Sequence, residues 1–347
     1  MSSRYHAAAP AAGLRLHLNE NTAGCSAAVL DAVRRLTAAD IASYADYSEA
    51  TAAAARHLGV PVASLVLTNG LDEGILAASL AAAGSGTRAA TEAIALVPSF
   101  EMYAVCAATV GTPLIEVPLG DDFEFPETRV LDAIGPSTRI VFITDPNNPS
   151  GIGVSREAIL RVAAAAPRAL IFVDEAYADF SGRTLIGDPA VAEYSNVVVG
   201  RTFSKAYGLA GLRCGAVVGP RDVIARIRDV LPPYNVNIAA AVALPAALRD
   251  RAFYQSYLNE VCQSKALLYE CFERLEIRYW RSEANFVLAR FGADASRICA
   301  QLAQRGISVR DRSRISACDG CIRITAGVVD HTMRCVAAIE EVLCGGR

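Results

Sequence analysis

Val197-Val-Val-Gly-Arg-Thr-Phe-Ser-Lys-Ala-Tyr-Gly-Leu-Ala-Gly-Leu-Arg213 is the stretch whose reading decides the fold. A short β-branched run breaks at Gly200. Thr202, Ser204, Lys205 and Arg213 then fall close together among small and apolar residues. The lysine stands out by count, because of 33 basic residues only Lys205 and Lys265 are lysines. A guanidinium keeps its charge and cannot lose a proton to attack a carbonyl, so a chain that gives nearly every basic position to Arg yet keeps Lys205 has a use for an amine. On the count alone, a compositional bias toward Arg explains the pattern equally well. Lys265 lies in an amphipathic helical stretch with Glu260 and Glu270 and reads as a surface residue.

Working outward, two earlier runs end in the same manner. Arg139-Ile-Val-Phe-Ile-Thr runs into Asp145-Pro-Asn-Asn-Pro-Ser-Gly151, and Ala169-Leu-Ile-Phe-Val runs into Asp174-Glu-Ala-Tyr177. A helical segment, Arg156 to Ala165, separates them. Near-continuous apolar runs joined by a helix are the pattern of parallel strands buried on both faces. In such sheets ligands gather beyond the carboxyl ends of the strands. Asn148, Asp174, Tyr177 and Lys205 all fall there, and the agreement of separate strand ends is stronger than any one motif. Further upstream, a strand at Leu65-Val-Leu67 leads into Thr68-Asn-Gly-Leu-Asp-Glu-Gly74 and an Ala/Leu helix to Ala83. A glycine turn opening a helix can present backbone N–H groups to an anion, although an ordinary strand-to-helix turn has the same sequence. Ala93 to Val97 is a further strand, ending at Pro98-Ser-Phe100, and Ile115 to Leu119 another.

The totals set bounds. A chain of 347 residues with 53% hydrophobic and 20% charged content can bury a large core in two lobes. A net charge of −3 gives no electrostatic footprint for nucleic acid. No apolar run reaches the roughly 20 residues that span a bilayer, and Met1-Ser-Ser-Arg-Tyr-His6 lacks a signal-peptide core. The expectation is a cytoplasmic protein with no membrane partner. Of ten cysteines only Cys318-Asp-Gly-Cys321 forms a close pair, and the four histidines are scattered, so no metal site is expected.

At the start, Leu14 to Asn21 alternates as an extended arm. Ser26 suits the N-cap of a helix running to about Leu36. Tyr44-Ala-Asp-Tyr47 reads as a loop, and a helix from Glu49 to Leu58 stops at Gly59 with Pro61 beyond. After Pro220 the pattern turns α+β. Helices are expected over Asp222 to Val230, Ile238 to Leu248 despite Pro245, Asp250 to Leu275, Ala295 to Arg305 and His331 to Leu343. Strands are expected over Phe286 to Phe291, Ile307 to Arg310 and Cys321 to Thr325.

These strand ends suggest a chemistry. A lysine amine can form a Schiff base. A buried carboxylate can keep a heterocyclic nitrogen protonated. A phenol and an amide can bond a phenolate oxygen, an aromatic can cover a ring, and an Arg with hydroxyls and a helix N-terminus can grip a phosphate. Pyridoxal phosphate uses every one of these groups. Arg201-Thr-Phe-Ser-Lys-Ala-Tyr-Gly-Leu-Ala-Gly-Leu-Arg213, Asp174-Glu-Ala-Tyr177, Asp145 to Gly151 and Gly320-Cys-Ile-Arg-Ile-Thr325 together resemble the fold-type I aminotransferases, and within them the histidinol-phosphate group. The resemblance runs from Leu16 to Leu343.

That resemblance implies an α/β fold: a mostly parallel seven-stranded sheet between helices in a large domain over 37–235. A smaller α+β domain over 236–347 would be joined by the arm and helix over 1–36. It implies Lys205 as the Schiff-base lysine and proton shuttle, Asp174 on the pyridine nitrogen, Tyr177 and Asn148 on the ring oxygen, and Phe100 on the ring face. Leu71 and Asp72 amides, Thr202, Ser204 and Arg213 would hold the phosphate, with Tyr44 reaching it from the second subunit of a homodimer. Arg323 and Arg310, beside Asn148, would bind the substrate's carboxylate or phosphate. The implied reaction is a ping-pong exchange between glutamate or 2-oxoglutarate and histidinol phosphate or a related amino compound. The same cofactor also serves decarboxylation, elimination or cyclisation, and the sequence leaves that alternative open. A binding protein that merely kept the fold is disfavoured by the joint presence of Lys205, Asp174 and Arg213. Two segments depart from the family pattern: Asn19-Glu-Asn-Thr-Ala-Gly-Cys-Ser26 stands where Asn-Glu-Asn-Pro is usual, and Tyr44-Ala-Asp where Tyr-Pro-Asp is common. Both border the substrate side.

Overall fold

Ile140, Phe142, Leu170, Phe172 and Val198 are buried on one face of a central sheet, while Val141, Ile143, Ile171, Val173, Val197 and Val199 are buried on the other. Successive strand residues point to opposite faces, so a run that is apolar at every position demands cover on both sides. Helices supply it. Ile75 of the Leu71–Ala83 helix and Val223, Ile224 and Ile227 of the Arg221–Asp229 helix cover the first face. Ile159 and Val162 of the Arg156–Ala165 helix cover the second. The computed structural model describes residues 12–84 and 91–344, and the segment 1–11, with His6 and its missing signal core, lies outside the described residues.

The sheet has seven strands, in the order Leu65–Asn69, Cys214–Val218, Val197–Thr202, Leu170–Asp174, Thr138–Thr144, Glu92–Val97 and Leu114–Pro118. Cys214–Val218 runs antiparallel to both of its neighbours, and the remaining pairings are parallel. This strand follows Arg213 so closely that the sequence reading passed over it. The helices Ala38–Ala42, Met102–Thr109 and Glu127–Ala133 were also not expected. The first is a single capped turn, with Thr37 and Asp40 forming a capping box, and is too short to show periodicity.

A second, antiparallel sheet orders Arg310–Asp311, Cys321–Thr325, Phe286–Arg290 and Arg278–Tyr279. The expected strand from Ile307 to Arg310 is in fact divided between sheets. Ile307–Ser308 pairs in parallel with Leu14–Arg15 of the N-terminal arm, and Arg310 lies opposite Arg323. The arm is stitched on by backbone bonds from Leu16 N to Ser308 O (2.8 Å) and from Thr325 N to Leu16 O (2.9 Å).

One local expectation holds in position only, and one is corrected. Ser26 has the extended backbone of an N-cap before the Ala27–Arg34 helix, but its hydroxyl makes no capping bond and is buried. Lys265 is not a solvated surface lysine. Its ammonium donates to the Ser282 carbonyl at 2.8 Å, and burial lowers its pKa. Glu260 is drawn away to the Val329 N–H at 2.7 Å.

Candidate active site

The carboxyl ends of the central strands open into a cavity of about 370 Å³, lined by Lys205, Asp174, Tyr177, Asn148, Phe100, Leu71, Asp72, Thr202, Ser204, Arg213, Arg310 and Arg323. Twelve separately predicted residues thus meet in one place. Of the predicted set only Tyr44 stays outside. It is 81% exposed and stacks on Tyr234 with ring centroids 4.5 Å apart.

Lys205 sits three residues beyond a strand that is buried along its whole length. Its loop is closed by a bond from Gly208 N to Lys205 O (3.2 Å) and another from Leu209 N to Phe203 O (3.2 Å). Gly208 has φ +71°, and a methyl group there would meet the Gly24 carbonyl at 2.0 Å, so the loop lies hard against the residues following the N-terminal arm. The ammonium donates to the Leu18 carbonyl at 2.9 Å. Burial first, and then the positive charge of Arg323, lowers its pKa to about 8. Roughly one amine in ten is therefore a free base at pH 7.

Asp174 ends the adjacent buried strand. One carboxylate oxygen accepts from the Ala176 N–H (3.0 Å) and the other from the Tyr103 hydroxyl (2.8 Å). Burial raises its pKa to about 6, against the lowering effect of those two bonds. The carboxylate is thus costly as it stands and is relieved by any cation that the cavity admits. The Tyr177 hydroxyl accepts from Asn19 Nδ2 at 3.0 Å. Its ring stands edge-on to Phe286, with centroids 5.0 Å apart.

A cluster of hydrogen-bond donors lies at one end. The Ser204 hydroxyl is buried and unbonded there, the Thr202 hydroxyl accepts from Ser204 N (3.2 Å), and the 13-residue Leu71–Ala83 helix begins beside them. Arg213 reaches in with φ +53° and donates to Asp72 at 2.9 Å. An orphaned hydroxyl, a guanidinium and a helix N-terminus together form a donor set that suits a phosphate.

At the other end, Arg323 donates to Asn148 Oδ1 and to the His17 carbonyl (2.8 Å), with its guanidinium 5.2 Å over the Phe286 ring. Burial, followed by repulsion from Arg312, lowers its pKa to about 10. Sequence reasoning missed Glu101, Tyr103 and Arg312, and marked Asn19 only as part of the Asn19 to Ser26 segment bordering the substrate side. Arg312 alone carried a signal, because it is two residues from Arg310 and so shares its side of an extended chain. Tyr103 lies on an unforeseen helix, and nothing local marks it. Among the described residues no helix is long and apolar enough to cross a membrane, and no group of three or more His, Cys, Asp or Glu could hold a metal ion.

Comparison with known proteins is consistent along the chain. The family model for aminotransferase class I and II matches residues 12–339. Histidinol-phosphate aminotransferase 1 of Bacillus cereus is 33% identical over 338 residues, covering 95% of this chain and 89% of that protein. Histidinol-phosphate aminotransferase 2 of Ralstonia nicotianae is 34% identical over 342 residues, covering 95% and 88%. The crystal structure of histidinol-phosphate aminotransferase from Sinorhizobium meliloti in complex with pyridoxal-5'-phosphate superposes with a TM-score of 0.84 at 26% identity, covering 97% of this chain and 92% of that one.

Proposed function

The chain belongs to the class I and II aminotransferases and takes pyridoxal 5'-phosphate as its cofactor, and from that premise we propose that it moves an amino group between glutamate or 2-oxoglutarate and histidinol phosphate or a closely related amino compound. The exchange runs in two half-reactions on one site. The observation that carries this reading is a buried amine and a buried carboxylate facing one cavity, Lys205 and Asp174, with Arg310, Arg312 and Arg323 at its far end.

The residues fit the cofactor. The orphaned Ser204 hydroxyl, Thr202, Arg213 and the amides opening the Leu71–Ala83 helix would hold its phosphate. Asp174 would hold its ring nitrogen, Tyr177 and Asn148 its ring oxygen, and Phe100 its face. When bound, the cofactor supplies an exchangeable aldehyde and a ring that draws electron density from the substrate Cα. With the cofactor bound, Lys205 would be the group placed to take the proton from the substrate Cα and to hold it for return. In the cofactor-free protein its pKa is lowered to about 8, chiefly by burial, so the amine is less costly to deprotonate than an exposed lysine. Tyr103 holds Asp174 in place. Arg323 orients the substrate's anionic group, because a planar fork serves a carboxylate or a phosphate with the same geometry.

The exposed Tyr44 is read as the contribution of one subunit of a homodimer to the phosphate of the other. Mixing Lys205→Ala and Tyr44→Ala subunits would restore part of the activity if the site is shared, and none if it is not. The reaction itself is tested in a single turnover. Glutamate should convert the cofactor's visible absorbance to that of its amine form, and the oxo counterpart of histidinol phosphate should restore it. An absorbance that persists while carbon dioxide or an elimination product appears would replace transamination with redirected chemistry.

A further inference from the structure

Arg312 is a third guanidinium at the Arg310 and Arg323 end of the cavity, and it is not among the residues read for the cofactor. Its side chain is 4% exposed. Its backbone N–H pairs with the Cys321 carbonyl at 2.9 Å, continuing the strand in which Arg310 faces Arg323. All three arginines line the cavity. The carboxylates around them are few. Of the four carboxylates lining the cavity, Glu20 is taken by Arg15 at 2.6 Å, Asp72 by Arg213 at 2.9 Å, and Asp174 accepts from the Tyr103 hydroxyl at 2.8 Å among the residues read for the cofactor, which leaves Glu101 for Arg312 at 3.3 Å. Glu101 is 31% exposed and comes from the segment that follows the Glu92–Val97 strand, 211 positions away in the chain. The Arg312 Nε is buried without a partner, as is the Arg323 Nε. Three guanidinia against one carboxylate leave an excess of two positive charges, together with two buried donors that point at no acceptor. Buried cations are retained only where something answers them.

We propose that Arg312 is a specificity-determining residue that, with Arg310 and Arg323, matches this end of the cavity to a substrate carrying two negative charges, and that Glu101 is the internal counter-ion which such a substrate displaces. The proposal rests on the transamination reading and refines its substrate class. A phosphomonoester is close to a dianion at neutral pH and answers two of the three guanidinium charges once Glu101 is displaced, whereas a monocarboxylate only replaces the single charge that Glu101 already supplies. Glu101 makes the discrimination sharper. A monoanion does not compete well for an arginine that already holds a carboxylate, and a dianion does.

The test is calorimetric binding to the holoenzyme with two probes that lack an amine and so cannot react: propyl phosphate, a dianion, and butyrate, a monoanion. Arg312→Gln is expected to weaken propyl phosphate about tenfold or more, the scale of one charge-assisted contact, and to change butyrate by less than about threefold. Glu101→Gln is expected to act in the opposite direction and tighten propyl phosphate. A merely structural pair would move both probes alike and in the same direction for both variants, which would overturn the proposal. Should Arg312→Gln fold poorly, Arg312→Lys keeps the charge while losing the fork. Together with Glu101→Gln it decides the matter, a loss for the first and a gain for the second being required. The underlying function is judged separately. If the propyl phosphate effects appear but histidinol phosphate is not turned over, the assigned substrate falls and the role of Arg312 stands. If histidinol phosphate is turned over with a KM unchanged by Arg312→Gln, the role of Arg312 falls and the substrate stands.

Discussion

Tyr103 donates its phenolic hydrogen to the Asp174 carboxylate at 2.8 Å and also lies 2.7 Å from the Thr144 hydroxyl. The ring is stacked on Phe142 at 4.8 Å between centroids, so its hydroxyl has little freedom to leave. A helix residue that faces the sheet thus sets the position of the carboxylate at the end of a central strand.

That carboxylate makes the cofactor-free protein less stable than it would otherwise be. Its pKa is about 6 in the fold against an ordinary value of 3.8. The folded state therefore binds more protons than the unfolded state between these values, and stability falls as pH rises from about 4 to 6. Asp174→Asn should stabilise the cofactor-free protein at pH 7 by on the order of 2 kcal/mol, a gain that disappears near pH 4, while cofactor binding is severely weakened. Urea unfolding at the two pH values reads this directly, and an equal effect at both would contradict it.

Lys205 should control how fast the cofactor is captured. With a pKa lowered to about 8, the reactive free base grows about tenfold per pH unit below that value and levels off above it. Stopped-flow absorbance of the cofactor-free protein mixed with cofactor should follow that curve. Lys205→Ala should leave any bound cofactor unattached, so that borohydride reduction followed by unfolding releases it all, and cofactor fixed to the variant by that treatment would remove the residue from its assigned place.

Arg323→Ala removes the donor to Asn148 and to the His17 carbonyl, and with it the group proposed to anchor the substrate. The expected loss in kcat/KM for glutamate is about ten- to a hundredfold, the equivalent of about 1.5–3 kcal/mol for a hydrogen bond to a charged group. Steady-state kinetics with saturating oxo acid measures it, and unchanged kinetics would show that Arg323 does not touch the substrate.

Gly70 has φ +76° and ψ +167°, a region open to glycine almost alone, and a methyl group there would sit 2.3 Å from the Arg213 guanidinium. Gly70→Ala should cost about 1–3 kcal/mol of stability and should also weaken cofactor binding by pushing Arg213 aside. Gly59 is the control. It caps the Ser48–Leu58 helix at φ +69° with open space around it, so its alanine variant should lose stability while the cofactor dissociation constant holds. If both variants bind cofactor equally well, Arg213 does not grip the phosphate.

The sequence alone determined whatever depends on residues that are neighbours along the chain. The apolar runs ending at Asp145, Asp174 and Gly200 named the buried parallel strands, because burial on both faces needs an apolar residue at every position. Their polar ends then named the site. Lys205, Asp174, Tyr177 and Asn148 were legible because each sits within a few residues of a strand terminus, and Arg213 only through the resemblance of the Arg201 to Arg213 segment. Tertiary structure decided what depends on residues distant in sequence. Tyr103 meets Asp174 across 71 positions, Asn19 meets Tyr177 across 158, and Glu101 meets Arg312 across 211. It also decided that Lys265 is half-buried against the Ser282 carbonyl rather than solvated, and that the run from Ile307 to Arg310 serves two sheets. Periodicity tells which face of an element is buried but not which element buries it. The gathering of Arg310, Arg312 and Arg323 around one cavity therefore appears only in the folded chain.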